Sequence, residues 1–258
     1  MSEKLLVAWS WRRAIHNQSK KGHRSTTIDV VRGIAIAGVV LFHFVWDMEF
    51  TGFVSGVAFH PLWLAFGRTL AGTFMFLTGV SLVLAHGQGF RQNAFVRRLG
   101  IIAVAAVAIS VVTYFIFPAT FVFFGILHSI AVATLIGAVF LHLPSAASMF
   151  AGAAMLALPW LVSAPAFDSR WLAWIGLSAN APPSNDLVPV FPWAGLTLLG
   201  LAYARLRKLH TAWPKGGQPG AYHWPILWFS WMGRHSLSIY LIHQPVMLAI
   251  IVPISYLL

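Results

Sequence analysis

Long apolar runs, returning between residues 28 and 257, constrain this chain more than any motif in it. A helix needs about 20 mostly apolar residues to cross the hydrocarbon core of a bilayer, and irregular backbone cannot lie exposed to lipid there. Seven runs approach that length: Ile28–Trp46, Leu62–Ala85, Leu99–Phe117, Phe123–Leu143, Ser148–Val162, Leu187–Ala204 and Ser236–Leu257. The fifth is short and rich in small residues. Hydrophobic residues make up 59% of the 258 and charged residues 9%, against roughly 45–50% and 25% in a soluble domain. So little charge cannot cover a water-facing surface. The expected fold is an all-α polytopic membrane protein, a bundle of about seven transmembrane helices in the lipid bilayer.

The charges that remain are unevenly placed. Lys4, Arg12, Arg13, Lys20, Lys21 and Arg24 precede the first run; Arg91, Arg97 and Arg98 follow the second; Arg205, Arg207, Lys208 and Lys215 follow the sixth. The alternate connections carry Asp47, Glu49, Asp168 and Asp186, with Arg170 their single basic residue. Basic loops stay in the cytoplasm, so the N-terminus is expected there and the C-terminus outside. The formal net charge of +11 is therefore topological, and no nucleic-acid partner is implied. Residues 1–27 read as a basic cytoplasmic segment, with Trp9 and Trp11 suited to an interfacial helix. The apolar run Leu5–Trp11, ended by Arg12-Arg13, is short for a cleaved signal peptide. Residues 28–258 read as one transmembrane domain. Trp171, Trp174 and the stretch Trp224–Trp231 are expected at the membrane surface, and Gly216, Gly217, Pro219 and Gly220 in a flexible loop. Cysteine is absent, which excludes disulfides, thiolate catalysis and cysteine-ligated metal.

Ionisable groups inside spans are costly and tend to mark function. In the first span Asp29 and Arg32 stand three residues apart on one helix face, as an ion pair or as part of a site. His43 and Asp47, four apart, share a face near the other end, where a carboxylate beneath an imidazole is suited to orient a general base. Arg68, His128 and His243 recur at similar depth, and their convergence with His43 would make a polar pocket in the outer half of the bundle. Plainer readings stand beside these: Arg68 paired with Asp47 or Glu49, and His128 and His243 as satisfied core histidines. Gln244 and Pro245 follow His243, and Ser236 is placed to cap the last span. Arg97, Arg98 and Arg234 satisfy the positive-inside pattern and are also suited to phosphate.

Four segments carry a resemblance. The run from Ile28 to Ala35, Ile-Asp-Val-Val-Arg-Gly-Ile-Ala, followed by Val39-Val40-Leu41-Phe42-His43-Phe44, resembles the opening of multipass membrane acyltransferases. Phe124–Ala131, reading Phe-Gly-Ile-Leu-His-Ser-Ile-Ala, and Phe191-Pro192-Trp193-Ala194-Gly195 are similar to bacterial relatives of heparan-alpha-glucosaminide N-acetyltransferase. Trp231–Pro245 resembles the closing segment of the wider group. The resemblance implies transfer of an acetyl or other acyl group from cytosolic acetyl-CoA (acyl-CoA) to the amine or hydroxyl of a saccharide or cell-envelope glycan beyond a bacterial inner membrane. It implies His43 as general base, with Asp47, His128 and His243 as catalytic partners, and Arg68 and Trp193 on the substrate. Arg32, Arg97, Arg98 and Arg234 would hold the coenzyme. Direct transfer and an acetyl-histidine intermediate both stay open, as does a homo-oligomeric state; no metal is expected. The chain departs from the lysosomal enzyme in having no large lumenal domain and fewer spans. A secondary transporter with a polar outer pocket, or a haem-binding electron carrier, are the rival readings.

Overall fold

The computed structural model describes residues 25–209 and 224–257, which are helical apart from short connections. The expected N-terminal helix at Trp9 and Trp11, the basic residues ahead of the first span, Lys215 and the glycine-rich loop lie outside the described residues. Among the described residues eight α-helices follow one another: α1 Thr26–Phe50, α2 Pro61–His86, α3 Gln92–Ile116, α4 Ile126–Phe140, α5 Ser145–Leu161, α6 Val190–Leu206, α7 Trp224–Arg234 and α8 Ser236–Ser255. Every expected run falls on one of them. Four of these helices (α1, α2, α3 and α8) are long and apolar enough to cross a membrane. Of the other four, α4, α5 and α6 have 15, 17 and 17 residues and α7 has 11.

Local chemistry sets the helix ends. Ser25 caps α1, its Oγ accepting from the N–H of Ile28 at 3.2 Å, and Asp29 sits in the first turn against the positive end of the helix dipole. Pro61 opens α2, where a missing N–H costs nothing, and the His60 side chain accepts from the N–H of Leu62. Arg205 of α6 donates to the carbonyls of Phe140, Leu141 and Leu143, closing the C-terminal end of α4. Ser236 does not cap α8 as its position suggests. The preceding residue is His235, whose N–H still bonds back to Trp231 and Met232, so α7 runs almost continuously into α8 and offers no free N-terminal turn.

Two helix contacts fix the arrangement. Between α2 and α6 the backbones approach so closely that a Cβ on Gly79 would strike the Thr197 carbonyl and one on Gly200 the Phe76 carbonyl. Thr197 Oγ1 donates to Met75 O at 2.8 Å across this seam, and Val83, Leu198, Leu201 and Ala204 are buried about it. Between α1 and α7 the same device recurs, with Gly33 on the Phe229 carbonyl and Gly233 on the Asp29 carbonyl. Small residues let helices meet where lipid supplies little hydrophobic drive. This places Arg234 beside the start of α1. Helix α8 packs on α1, α6 also packs on α4 and α5, and α3 rests on α4.

Residues 162–189 run back over one end of the bundle. Asn185 N–H donates to Thr120 O and Val188 N–H to Phe124 O, which ties the segment to the start of α4. Trp171 is exposed, whereas Trp174 packs on Phe124 in the core cluster around Met75.

Candidate active site

Arg32, Arg97, Arg98 and Arg234 come from α1, α3 and the end of α7, yet all four line one cavity of about 660 Å³. The close α1–α7 contact brings Arg234 in, and the first turns of α3 bring Arg97 and Arg98. Arg32 is held by Ser81, its Nη2 donating to Oγ at 2.8 Å, with Asp29 Oδ1 4.0 Å from Nη1. The cavity is basic around these residues and apolar further along, where Ile36, Ile102, Leu127 and Leu237 line it. Val39 and Tyr240 are the lining residues of α1 and α8 furthest from the arginines along their helices. Seven residues separate Arg32 from Val39, about 10 Å of helix.

Those two residues also carry the imidazoles. His43 Nδ1 lies 2.9 Å from the carbonyl oxygen of Val39, and His243 Nδ1 lies 2.7 Å from that of Tyr240. A carbonyl only accepts, so each Nδ1 bears the hydrogen and each neutral ring keeps its lone pair on Nε2. The rings of His43 and His243 meet edge-on, with centroids 4.9 Å apart. The basic cavity therefore ends at the backbone that holds a pair of half-buried histidines with Nε2 as the basic nitrogen.

The sequence-based pairing of His43 with Asp47 is corrected here. Asp47 is turned away to Gln244, whose Nε2 donates to Oδ1 at 2.7 Å, while His43 takes the carbonyl one turn back on its own helix. Spacing of four residues puts two side chains on one face and does not make them touch. The expected convergence of four groups is corrected as well. Arg68 is exposed and outside the cavities, and its proposed partners are engaged elsewhere: Asp47 with Gln244, and Glu49 with the N–H groups of Gly56, Val57 and Ala58. His128 sits at the first turn of α4, within hydrogen-bond reach of Ser110 Oγ at 3.2 Å and accepting from Gly125 N–H. Trp193 packs in the apolar cluster around Met75 and Ala194 rather than facing the histidines.

Three residues not singled out from the sequence complete the site. Gln244 partners Asp47. Tyr240 lines the cavity, and its ring centroid lies 5.6 Å from that of His243. Asp186, read from sequence only as a loop acid, accepts from Ile126 N–H at 2.9 Å and from Tyr240 Oη at 3.4 Å. Burial pushes its carboxyl up from the ordinary range against the pull of those two bonds. The only sequence signals were adjacency to His243 for Gln244 and a position in the closing segment for Tyr240.

At the far end of α1 a second, apolar groove of about 560 Å³ is lined by Leu41, Val57, His60, Trp63 and Phe66. Phe42 stands between it and the imidazoles, stacked on Trp63 with centroids 5.7 Å apart and edge-on to His43 at 5.5 Å. The histidine pair is thus flanked by one ring toward each hollow, Tyr240 and Phe42. No group of three or more His, Cys, Asp or Glu side chains among the described residues is arranged to hold a metal ion.

A bundle of apolar, membrane-compatible helices, with a basic cavity reaching the residues that bond two half-buried histidines, is the architecture of an integral membrane enzyme. The catalytic-domain model of heparan-alpha-glucosaminide N-acetyltransferase matches residues 24–245, most of the chain. The chain belongs to that acetyltransferase family. No curated protein and no solved structure matches it.

Proposed function

We propose that the chain transfers an acetyl group from cytosolic acetyl-CoA to the amino group of a saccharide on the far side of a bacterial inner membrane, with His43 as general base. The observation that carries this reading is the cavity that joins five arginines, Arg91 among them, to Val39 and Tyr240, the residues whose carbonyls bond His43 and His243. Arginine forks suit phosphate oxygens, and the apolar stretch beyond them suits a slender, uncharged pantetheine arm. Arg32 and His43 are eleven residues apart, about 16 Å along the helix. That is half of a bilayer core of about 30 Å and comparable to the arm's reach.

In this reading the bundle crosses the membrane seven times with α7 beside the last span, residues 1–27 and the arginine end face the cytosol, and the Trp63 groove faces the acceptor. His43 Nε2 takes a proton from the acceptor nitrogen as the C–N bond forms and the C–S bond breaks, then returns it to the departing sulfur. Residues 28–258 act as one catalytic domain.

Purified full-length protein supplied with labelled acetyl-CoA and methyl glucosaminide is expected to yield the N-acetyl sugar. No labelled product with any amino sugar or envelope glycan would overturn the assignment. Arg97→Ala and Arg98→Ala are each expected to raise KM for acetyl-CoA by about ten- to hundredfold, the worth of a charge-assisted hydrogen bond, with a smaller change in kcat. An unchanged KM in both would remove the phosphates from this mouth.

A further inference from the structure

One ladder of side chains between α1 and α8 has three acceptors to spare. Its rungs are the Asp47–Gln244 hydrogen bond at 2.7 Å and the edge-on contact of His43 with His243. Asp47 Oδ2, Gln244 Oε1 and His243 Nε2 are buried and find no hydrogen-bond partner among the described residues. Asp47 as a whole is 1% exposed, so its carboxylate is not relieved by bulk water. The two oxygens can only accept when Asp47 is ionised, and His243 Nε2 accepts because Nδ1 carries the ring's hydrogen. Buried polar atoms are nearly always paired, and a buried acceptor left alone is destabilising. Three such atoms together, one on a carboxylate, match a compact cation with several N–H donors. A hydroxyl brings one donor and a water two. A protonated primary amine brings three and a positive charge.

We propose that Asp47 Oδ2, Gln244 Oε1 and His243 Nε2 form the subsite that receives the acceptor's amino group as an ammonium ion, an inference that rests on the acetyl-transfer reading. Asp47 and Gln244 are joined by a hydrogen bond, and His243 stands next to Gln244 on α8 with its ring against His43, so the three acceptors belong to one α1–α8 contact. An ammonium has no lone pair, so one proton passes to His243 Nε2, the basic nitrogen of the three. His43 Nε2 takes the second proton as the C–N bond forms and the C–S bond breaks, and gives it to the thiolate. The proton on His243 leaves to solvent with the product. Asp47 is thereby a binding residue for the acceptor and not the orienter of His43.

Calorimetry on the full-length protein in lipid nanodiscs, with methyl glucosaminide and methyl glucoside as probes and acetyl-CoA omitted, tests the subsite apart from transfer. The amine is expected to bind at least about tenfold more tightly than its hydroxyl counterpart. Asp47→Asn keeps an oxygen for Gln244 and removes the charge; it is expected to lose about ten- to hundredfold in amine binding with acetyl-CoA binding unchanged. Gln244→Met, which leaves the carboxylate in place, supplies the same comparison if Asp47→Asn does not fold. Equal binding of the two sugars, or full amine binding in the folded variant, overturns the subsite. Selective amine binding without acetyl transfer would overturn the transferase reading and leave the subsite standing; transfer to amine and hydroxyl at equal rates would do the reverse.

Discussion

Replacing His43 with alanine is expected to lower kcat for acetyl transfer by about 10²–10⁴-fold, the usual contribution of a positioned general base, while acetyl-CoA still binds. The two effects separate because the arginines line the cavity, whereas His43 lies beyond its lining, about 16 Å from Arg32 along α1. The folded protein should tolerate the change, since the ring's packing is confined to edge contacts with Phe42 and His243 and one bond to Val39 O. Single-turnover measurement with preloaded acetyl-CoA reads the chemical step directly. A parental rate in that assay would move the base elsewhere, with His243 the next candidate.

Gly233→Ala is expected to be among the most damaging single-methyl changes in the described protein. A Cβ there would drive into the Asp29 carbonyl, and backbone on both sides leaves no side chain to give way. Overpacking of this kind costs about 3 kcal/mol or more, expressed as a lower melting temperature in detergent and loss of monodisperse protein. The consequence is also local to the site. Pushing α7 off α1 moves Arg234 out of the cavity and disturbs the turn that holds Asp29 and Arg32, so any surviving protein should bind acetyl-CoA poorly. Gly100→Ala is the control: α3 has open space at that position, and the added methyl should be neutral or stabilise by about 0.5–1 kcal/mol. Equal melting temperatures for the two variants would mean that the α1–α7 seam does not organise this end.

The long helices were legible because a bilayer requires a helix to be apolar for most of its length, and that requirement is written in consecutive residues. Helices α4, α5 and α6 were legible as apolar runs, but their lengths of 15–17 residues were not. Asp186 bonds the first turn of α4, and Pro144 and Pro189 stand at the N-caps of α5 and α6, limits that apolarity alone does not mark. The four arginines were recognisable as cations suited to phosphate, one residue at a time. Their sharing of a cavity was not, because it depends on Gly233 meeting Asp29 across more than two hundred residues of chain.

The sequence by itself determined the class of molecule and its chemistry: apolar helices, basic residues at their ends, a histidine in the first of them, and the family to which those motifs belong. Only the tertiary structure decided who touches whom. His43 turned to its own backbone because a carbonyl left within reach one turn back is the nearest acceptor for its Nδ1–H. Asp47 went to Gln244 because α8 packs on α1. Periodicity fixes the face of a helix on which a side chain lies, but the partner on that face is supplied by whichever distant segment packs there.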